Sequence, residues 1–419
     1  MSRIISSLAS TERLSAIFCD ESVLRAMLDF ESALARAEAA ANVIPAEAAK
    51  AISKAAASAG FDLAELMRQA LRAGTPAIPF VKMFRTHVRS VDPEAAGWVH
   101  WGATSQDVVD TALILLLRKS RNVLAADHGR IDAALARLSQ EHSSTVMLGR
   151  TLLQAAPPVT FGLKAAGWLG ALRRGWVRVD SRFEQSLMLQ FGGATGTLAM
   201  LGDRGVAVSE ALASSLGLAC PDAPWHAHRD RLAALLAALS IYAASLGKMA
   251  LDIALLMQTG VGEAAEPGGD GRGGSSTMPH KRNPTACMLA IAAARRTPGL
   301  MSNFLNGMLQ EHERAVGGWQ AEWTTVEALV QAAGMALESM AEVAEGLTVD
   351  PTRMRQNIDA THGAVFAEKA VVVLTESVGP DEARRSVESS QPSLDGLDAP
   401  EDYLGSAEAF RRRLLDEKE

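Results

Sequence analysis

From Leu232 to Gly247 the chain runs sixteen residues without a charge, and this run limits the available folds more than any other feature. Its Leu, Ala, Ser, Ile and Tyr residues show no strand-like alternation, so the segment reads as a helix without a polar face. Such a helix either crosses a bilayer or fills the middle of a bundle. The run is shorter than the ~20 residues a crossing needs, and Lys248 and Asp252 follow at once. The centre of a large helical bundle is therefore the better reading. Covering the helix on every side calls for further copies of the chain.

Helical spacing governs the rest. Leu24, Met27, Leu28, Glu31, Leu34 and Ala35 mark one face of a helix capped by Asp20, and Val108 to Leu117 repeat the pattern after Asp107. The 419 residues are 48% hydrophobic but only 5% aromatic, which is the Ala/Leu excess of an all-α core with room for more than one domain. HWGATSQD at 100–107 and LTVDPTRM at 347–354 interrupt the pattern. They divide the chain into an N-terminal helical region 1–99, a long-helix region 100–346 and a more polar helical region 347–419. Residues 379–407 are rich in turn formers and charge.

The net charge of −7 argues against a nucleic-acid partner. Cys19, Cys220 and Cys287 lack metal-site spacing, so buried free thiols in a reducing cytoplasm are expected. MSRIISSLAS has no charged start followed by a long apolar core, so it does not read as a secretory signal.

Residues 267–287, PGGDGRGGSSTMPHKRNPTAC, carry the most chemistry. Five glycines between Gly268 and Gly274 give a pliable backbone, while Pro279 and Pro284 stiffen the segment that presents Ser275, Ser276, His280, Lys281, Arg282 and Asn283. Such a loop suits a lid that closes over substrate. GSSTMPHKRNP resembles the signature loop of the fumarase/aspartase superfamily. LRAMLDFESALARAEA (24–39), AIPFVK (77–82), HWGATSQDVVDTAL (100–113), PWHAHRDR (224–231) and QEHERAVGGWQAEW (310–323) are most similar to its class II cycloisomerase branch.

The resemblance implies three helical domains, with a central long-helix bundle that assembles into a homotetramer around a twenty-helix core. It also implies active sites shared between subunits and built from residues 98–110, 148–162 and 272–288. By the same resemblance Ser275 is the proton donor and acceptor, Ser276 is structural, and Lys281 and Asn283 stabilise the enediolate that forms beside a carboxylate. His100, Thr104, Ser105, Gln106 and Gln154 fall on substrate-side positions. Thr104 and Ser105 also suit a helix N-cap, a role compatible with anion binding.

Lys281 and Arg314 are the leading cations for the substrate carboxylates, Arg314 against the alternative of an ion pair with Glu311 or Glu313. Arg282 is a weaker candidate. His226 and His228 form an HxH without a companion ligand, so no metal is expected, and His228 is taken as a substrate-side histidine. Gly192, Gly193 and Gly196 read as a tight interhelical turn, and Trp323 stands where adenylosuccinate lyases carry an arginine.

One departure from the superfamily decides the chemistry expected. The general-acid histidine of the amine and hydroxyl lyases is Leu152 here, and the carboxylate that orients it is Met288. An amine or alkoxide leaves poorly unless protonated, whereas a carboxylate, with an acid pKa of ~4, leaves unaided. The resemblance therefore implies intramolecular addition of a carboxylate to a muconate double bond, on a tricarboxylate substrate, with no cofactor. A sulfo-substituted muconate, an adenylosuccinate- or argininosuccinate-type lyase, and a non-catalytic structural relative stay open as alternatives. Neither a nucleic-acid nor a membrane partner is expected.

Overall fold

A computed structural model describes residues 3–269, 273–274, 278, 281–389 and 399–416. The fold is all-α. The elements that matter for function are α1 (Asp20–Ala40), α2 (Ala77–Val91), α3 (Ser105–Glu141), β1 (Val146–Thr151), β2 (Gln154–Thr160), α4 (Phe161–Ser186), α5 (Asp230–Leu256), β3 (Ala264–Ala265), α6 (Thr285–Gly307), α7 (Gly318–Gly346), β4 (Thr348–Val349) and α8 (Pro351–Asp359).

Two expectations about helix limits are corrected. Asp20 is the first residue of α1 rather than its cap, which is Cys19 without a side-chain bond. Asp20 and Glu21 instead lie in the first turn, where their charge meets the positive end of the helix dipole. α5 runs for 27 residues, well past its uncharged stretch, so its length alone would allow a bilayer crossing. Packing decides the matter. Leu232, Leu235, Leu236, Leu239, Leu246, Met249 and Ile253 form a stripe no more than 1% exposed, while Ile241, Leu251 and Leu255 remain open on the other side. A single chain thus covers one face of α5.

The chain divides into two compact units, and each of α3, α4, α5, α6 and α7 contributes residues to both. The first comprises Met1–Ala126, Val177–Tyr242 and Arg296–Met335. Here α1 buries Leu24, Met27, Leu28, Phe30 and Leu34, packing against the helices Ala46–Ser58 and Gly205–Leu216. Each of these side chains contributes roughly 1.5–3 kcal/mol by leaving water. Leu14 is fully buried against Gly334 of α7, where an added Cβ would lie 2.1 Å from Leu14 Cδ1. A larger residue there would force the Leu14 side chain to shift.

The second unit comprises Asp127–Trp176, Ala243–Arg295 and Ala336–Glu419. β1 and β2 form an antiparallel hairpin that pairs Val146 with Thr160 and Thr151 with Gln154. Its inner residues Val146 and Leu148 pack on Ile358 of α8 and on Val365 and Phe366. β3 pairs with β4, which fixes the chain just before the glycine-rich loop.

Candidate active site

In the first unit the turn into α3 is held from behind. Thr104 N–H donates to Asp107 Oδ2 (3.0 Å), as the third residue of a capping box reaches back to its cap. Asp107 is fully buried, and its carboxylate also accepts from Gly192 N (3.0 Å), Gly193 N (2.9 Å) and His226 Nε2 (2.7 Å). The Gly192-Gly193 turn therefore serves Asp107, and His226 is a buried structural partner rather than a substrate-side or metal-binding group. Gly193 has φ +68°, and a Cβ on it would come within 2.9 Å of Gly102 O, so both conformation and space demand glycine.

This anchoring leaves the hydroxyls of Thr104 and Ser105 free for Arg314. Arg314 Nη1 donates to Thr104 Oγ1 (2.6 Å), Nη2 to Ser105 Oγ (2.9 Å) and Nε to Gln106 Oε1 (3.3 Å). All three acceptors are neutral, so they orient the guanidinium without spending its charge. The alternative ion pair is not seen. Glu311 instead accepts from Val316 N (2.9 Å), a bond that holds its carboxyl below the usual range.

Gln106, expected on the substrate side, is buried and bonded within the scaffold. It is 1% exposed, and its Nε2 donates to His226 O (2.8 Å) and Asp110 Oδ2 (3.2 Å). His228 is exposed, its main-chain N–H bonds Trp225 O (3.1 Å), and its side chain does not line the cavity beside Thr104.

Beneath this layer lies a charge network that the sequence reading missed. Arg229 is fully buried and donates to Asp110 Oδ2 (2.7 Å) from Nη1 and to Glu322 Oε2 (2.8 Å) from Nε, with its guanidinium 4.6 Å above the Trp225 ring. Trp319 Nε1 donates to Asp110 Oδ1 (2.9 Å), and Gln310 Nε2 to Glu322 Oε1 (2.6 Å). Burial pushes the Glu322 carboxyl up to about 7 against the pull of Arg229. Removing one partner would strand a buried charge, a loss of ~3–5 kcal/mol. The network thereby ties α3, α5 and α7 at the level of Arg314. Trp323, edge-on to Trp319 at 4.8 Å, lines a small apolar cavity with Phe18, Met27 and Leu113.

A cavity of about 620 Å³ opens beside Thr104 and Ser105, and none of the described residues lining it is acidic. Lys82, Arg85 and Arg89 of α2 face it, with His100 opposite. His100 sits at φ +60°, and its Nδ1 donates to the buried Glu31 Oε1 at 2.5 Å. Burial disfavours the imidazolium, yet the charge and hydrogen bond of Glu31 outweigh it and raise the His100 pKa. The contact with Glu31 thus keeps a proton on His100 Nδ1.

The second unit carries the other expected residues. Gln154 is exposed at the start of β2, beside a two-residue turn in which Leu152 (96% exposed) and Leu153 (78%) both have positive φ. Below the turn, Arg150 makes a two-pronged ion pair with the buried Glu263 (2.6 and 2.8 Å), which also accepts from Asn357 Nδ2 (2.7 Å). The glycine-rich loop is anchored at both sides: Asn283 N–H donates to Gly273 O (2.8 Å), and Glu266 accepts from Ala286 N and Cys287 N (both 3.1 Å) at the start of α6. Lys281 is exposed and Asn283 half-buried. Ser275 and Ser276 lie outside the described residues. Met288, in the position of the missing carboxylate, is 56% exposed.

Residues 8–299 match the model of a family described as Lyase. The chain belongs to that family. This lyase is 45% identical to the 3-carboxy-cis,cis-muconate cycloisomerase of Bradyrhizobium diazoefficiens, over 100% of this chain and 99% of the relative. Its fold superposes on the 3-carboxy-cis,cis-muconate lactonizing enzyme of Pseudomonas putida with a TM-score of 0.93 and 41% identity, covering 99% of both chains. It is also 39% identical to the nitrosuccinate lyase of Streptomyces davaonensis, over 99% of this chain and 89% of that one.

Proposed function

We propose that this lyase interconverts 3-carboxy-cis,cis-muconate and 4-carboxymuconolactone. The observation that carries the reading is the end-to-end similarity to the Bradyrhizobium cycloisomerase. Site chemistry supports it: Arg314 oriented by two hydroxyls, a cavity lined by cations and, among the described residues, by no acid, and Leu152 and Met288 where a proton relay would stand.

In the proposed reaction one substrate carboxylate attacks an alkene carbon, forming the lactone C–O bond. The π electrons move onto the neighbouring carboxylate as an enediolate. Ser275 then gives its proton to the carbon between them and regains one from solvent, so each lactone formed takes up one proton. Lys281 and Asn283 stabilise the enediolate. Arg314, Thr104 and Ser105 hold a carboxylate, with His100 and Gln154 beside the substrate. Gln106 acts through Arg314. We place the enzyme in the cytoplasm, in the ring-cleavage branch of aromatic catabolism. We read it as three helical regions, 1–99, 100–346 and 347–419, assembled into a homotetramer with shared active sites.

A second reading is favoured by the similarity to the nitrosuccinate lyase. Nitrite, like a carboxylate, departs as a stable anion and needs no general acid. An ultraviolet assay with 3-carboxymuconate and nitrosuccinate in parallel decides between them. The first reading requires faster turnover of the muconate, and the reverse order would replace it.

A further inference from the structure

We propose that Lys82, Arg85 and Arg89 of α2 form an anion subsite for the carboxylate that distinguishes a tricarboxylate from a dicarboxylate substrate. The inference deepens the cycloisomerase reading and rests on it for the substrate class. Three observations carry it. Spacings of three and four residues put the cations in one row on one helix face, about 10 Å long at 1.5 Å per residue. That row lines the same cavity as Thr104, Ser105 and His100, and among the described residues no acid lines it to neutralise the charge. Arg314 already gives three of its five N–H groups to the Thr104–Gln106 turn, so holding a ligand with three negative charges calls for cations beyond it.

The rest of the molecule makes the row necessary. A net charge of −7 gives no long-range attraction for a trianion, so affinity has to come from cations placed at the site. Arg85 is pinned by a bond from Nη2 to Val99 O (3.0 Å), which holds its charge toward the turn that carries His100. Lys82 borders Asp62 on its other side, but Asp62 is engaged in capping the next helix through Glu65 N (3.1 Å). Lys82 and Arg89 are exposed, so their substitution leaves the core untouched.

The test uses the full-length protein, the double variant Lys82→Ala/Arg89→Ala and two pairs of probes. Turnover is compared on 3-carboxymuconate and on cis,cis-muconate, which lacks the third acid. Calorimetric binding is compared for propane-1,2,3-tricarboxylate and glutarate. Two half-exposed cations are expected to give a ~10-fold fall in the preference for the three-acid member of each pair, seen in KM more than in kcat and weakened by salt. A double variant that keeps the wild-type preference in both pairs overturns the proposal. If the wild type turns over neither muconate, the cycloisomerase reading falls, and the binding pair alone still decides the subsite.

Discussion

Arg314 Nη1 lies 2.6 Å from Thr104 Oγ1, a contact between residues 210 positions apart that sets a guanidinium against hydroxyls instead of carboxylates. A charge oriented by neutral groups stays available to a ligand. Replacement by lysine keeps the charge but loses the planar fork, so Arg314→Lys is expected to lower kcat/KM by about 10²-fold. Steady-state kinetics on 3-carboxymuconate check this, and an unchanged kcat/KM would remove Arg314 from the site.

His100 owes its favoured positive charge to Glu31. The neighbouring Asp107 adds to the effect and Arg85 opposes it. Because the folded pKa is raised, the imidazolium's contribution is complete below 6.5 and is lost as pH rises through the higher folded value. Glu31→Gln keeps a hydrogen-bond partner and deletes the charge. Its affinity for substrate should decline at lower pH than that of wild type, measured as KM against pH. Coincident profiles would show that Glu31 does not set the charge of His100.

Glu38 is fully buried, and both its carboxyl oxygens lack partners. Burial, with the nearby Glu31, raises its pKa from 4.5 to about 9. Between those values the folded state holds a proton that the unfolded state has released, so stability falls as pH rises. Glu38→Gln removes this proton uptake. Between pH 6 and 9 the wild type should lose on the order of 2 kcal/mol more stability than the variant, as urea unfolding would measure. Parallel losses in the two proteins would contradict it.

The Leu152-Leu153 turn places two side chains at φ +51° and +66°, a pattern that favours Asn-Gly. Leu152→Asn/Leu153→Gly is therefore expected to raise stability by about 1 kcal/mol. Thermal melting tests this, and a lowered midpoint would mean that the leucines stabilise the hairpin by contacts that outweigh their strain.

What the sequence made legible was what is local. The uncharged run of α5 and the helical spacing of Leu24 to Ala35 announced an all-α fold, and GSSTMPHKRNP announced the family. Arg314, Thr104 and Ser105 were assigned to substrate by resemblance, and folding brings them together. The buried triad Asp110, Arg229 and Glu322 was not legible, since its members come from two helices and the loop before a third, and no periodicity links them. The burial of Gln106 and His226 was not legible either, since burial cannot be read from residue type. The row Lys82, Arg85 and Arg89 was in plain view but reads like any solvated helix face until a cavity is seen beside it.

The account depends on Ser275 managing the proton while a carboxylate adds, or in reverse departs, without a general acid. The most direct measurement is the ultraviolet progress curve of 3-carboxymuconate with wild-type protein and with Ser275→Ala. Rapid loss of the diene absorbance in the first, and its abolition in a variant that still binds substrate and melts normally, is the predicted result. Full activity in the variant would contradict it.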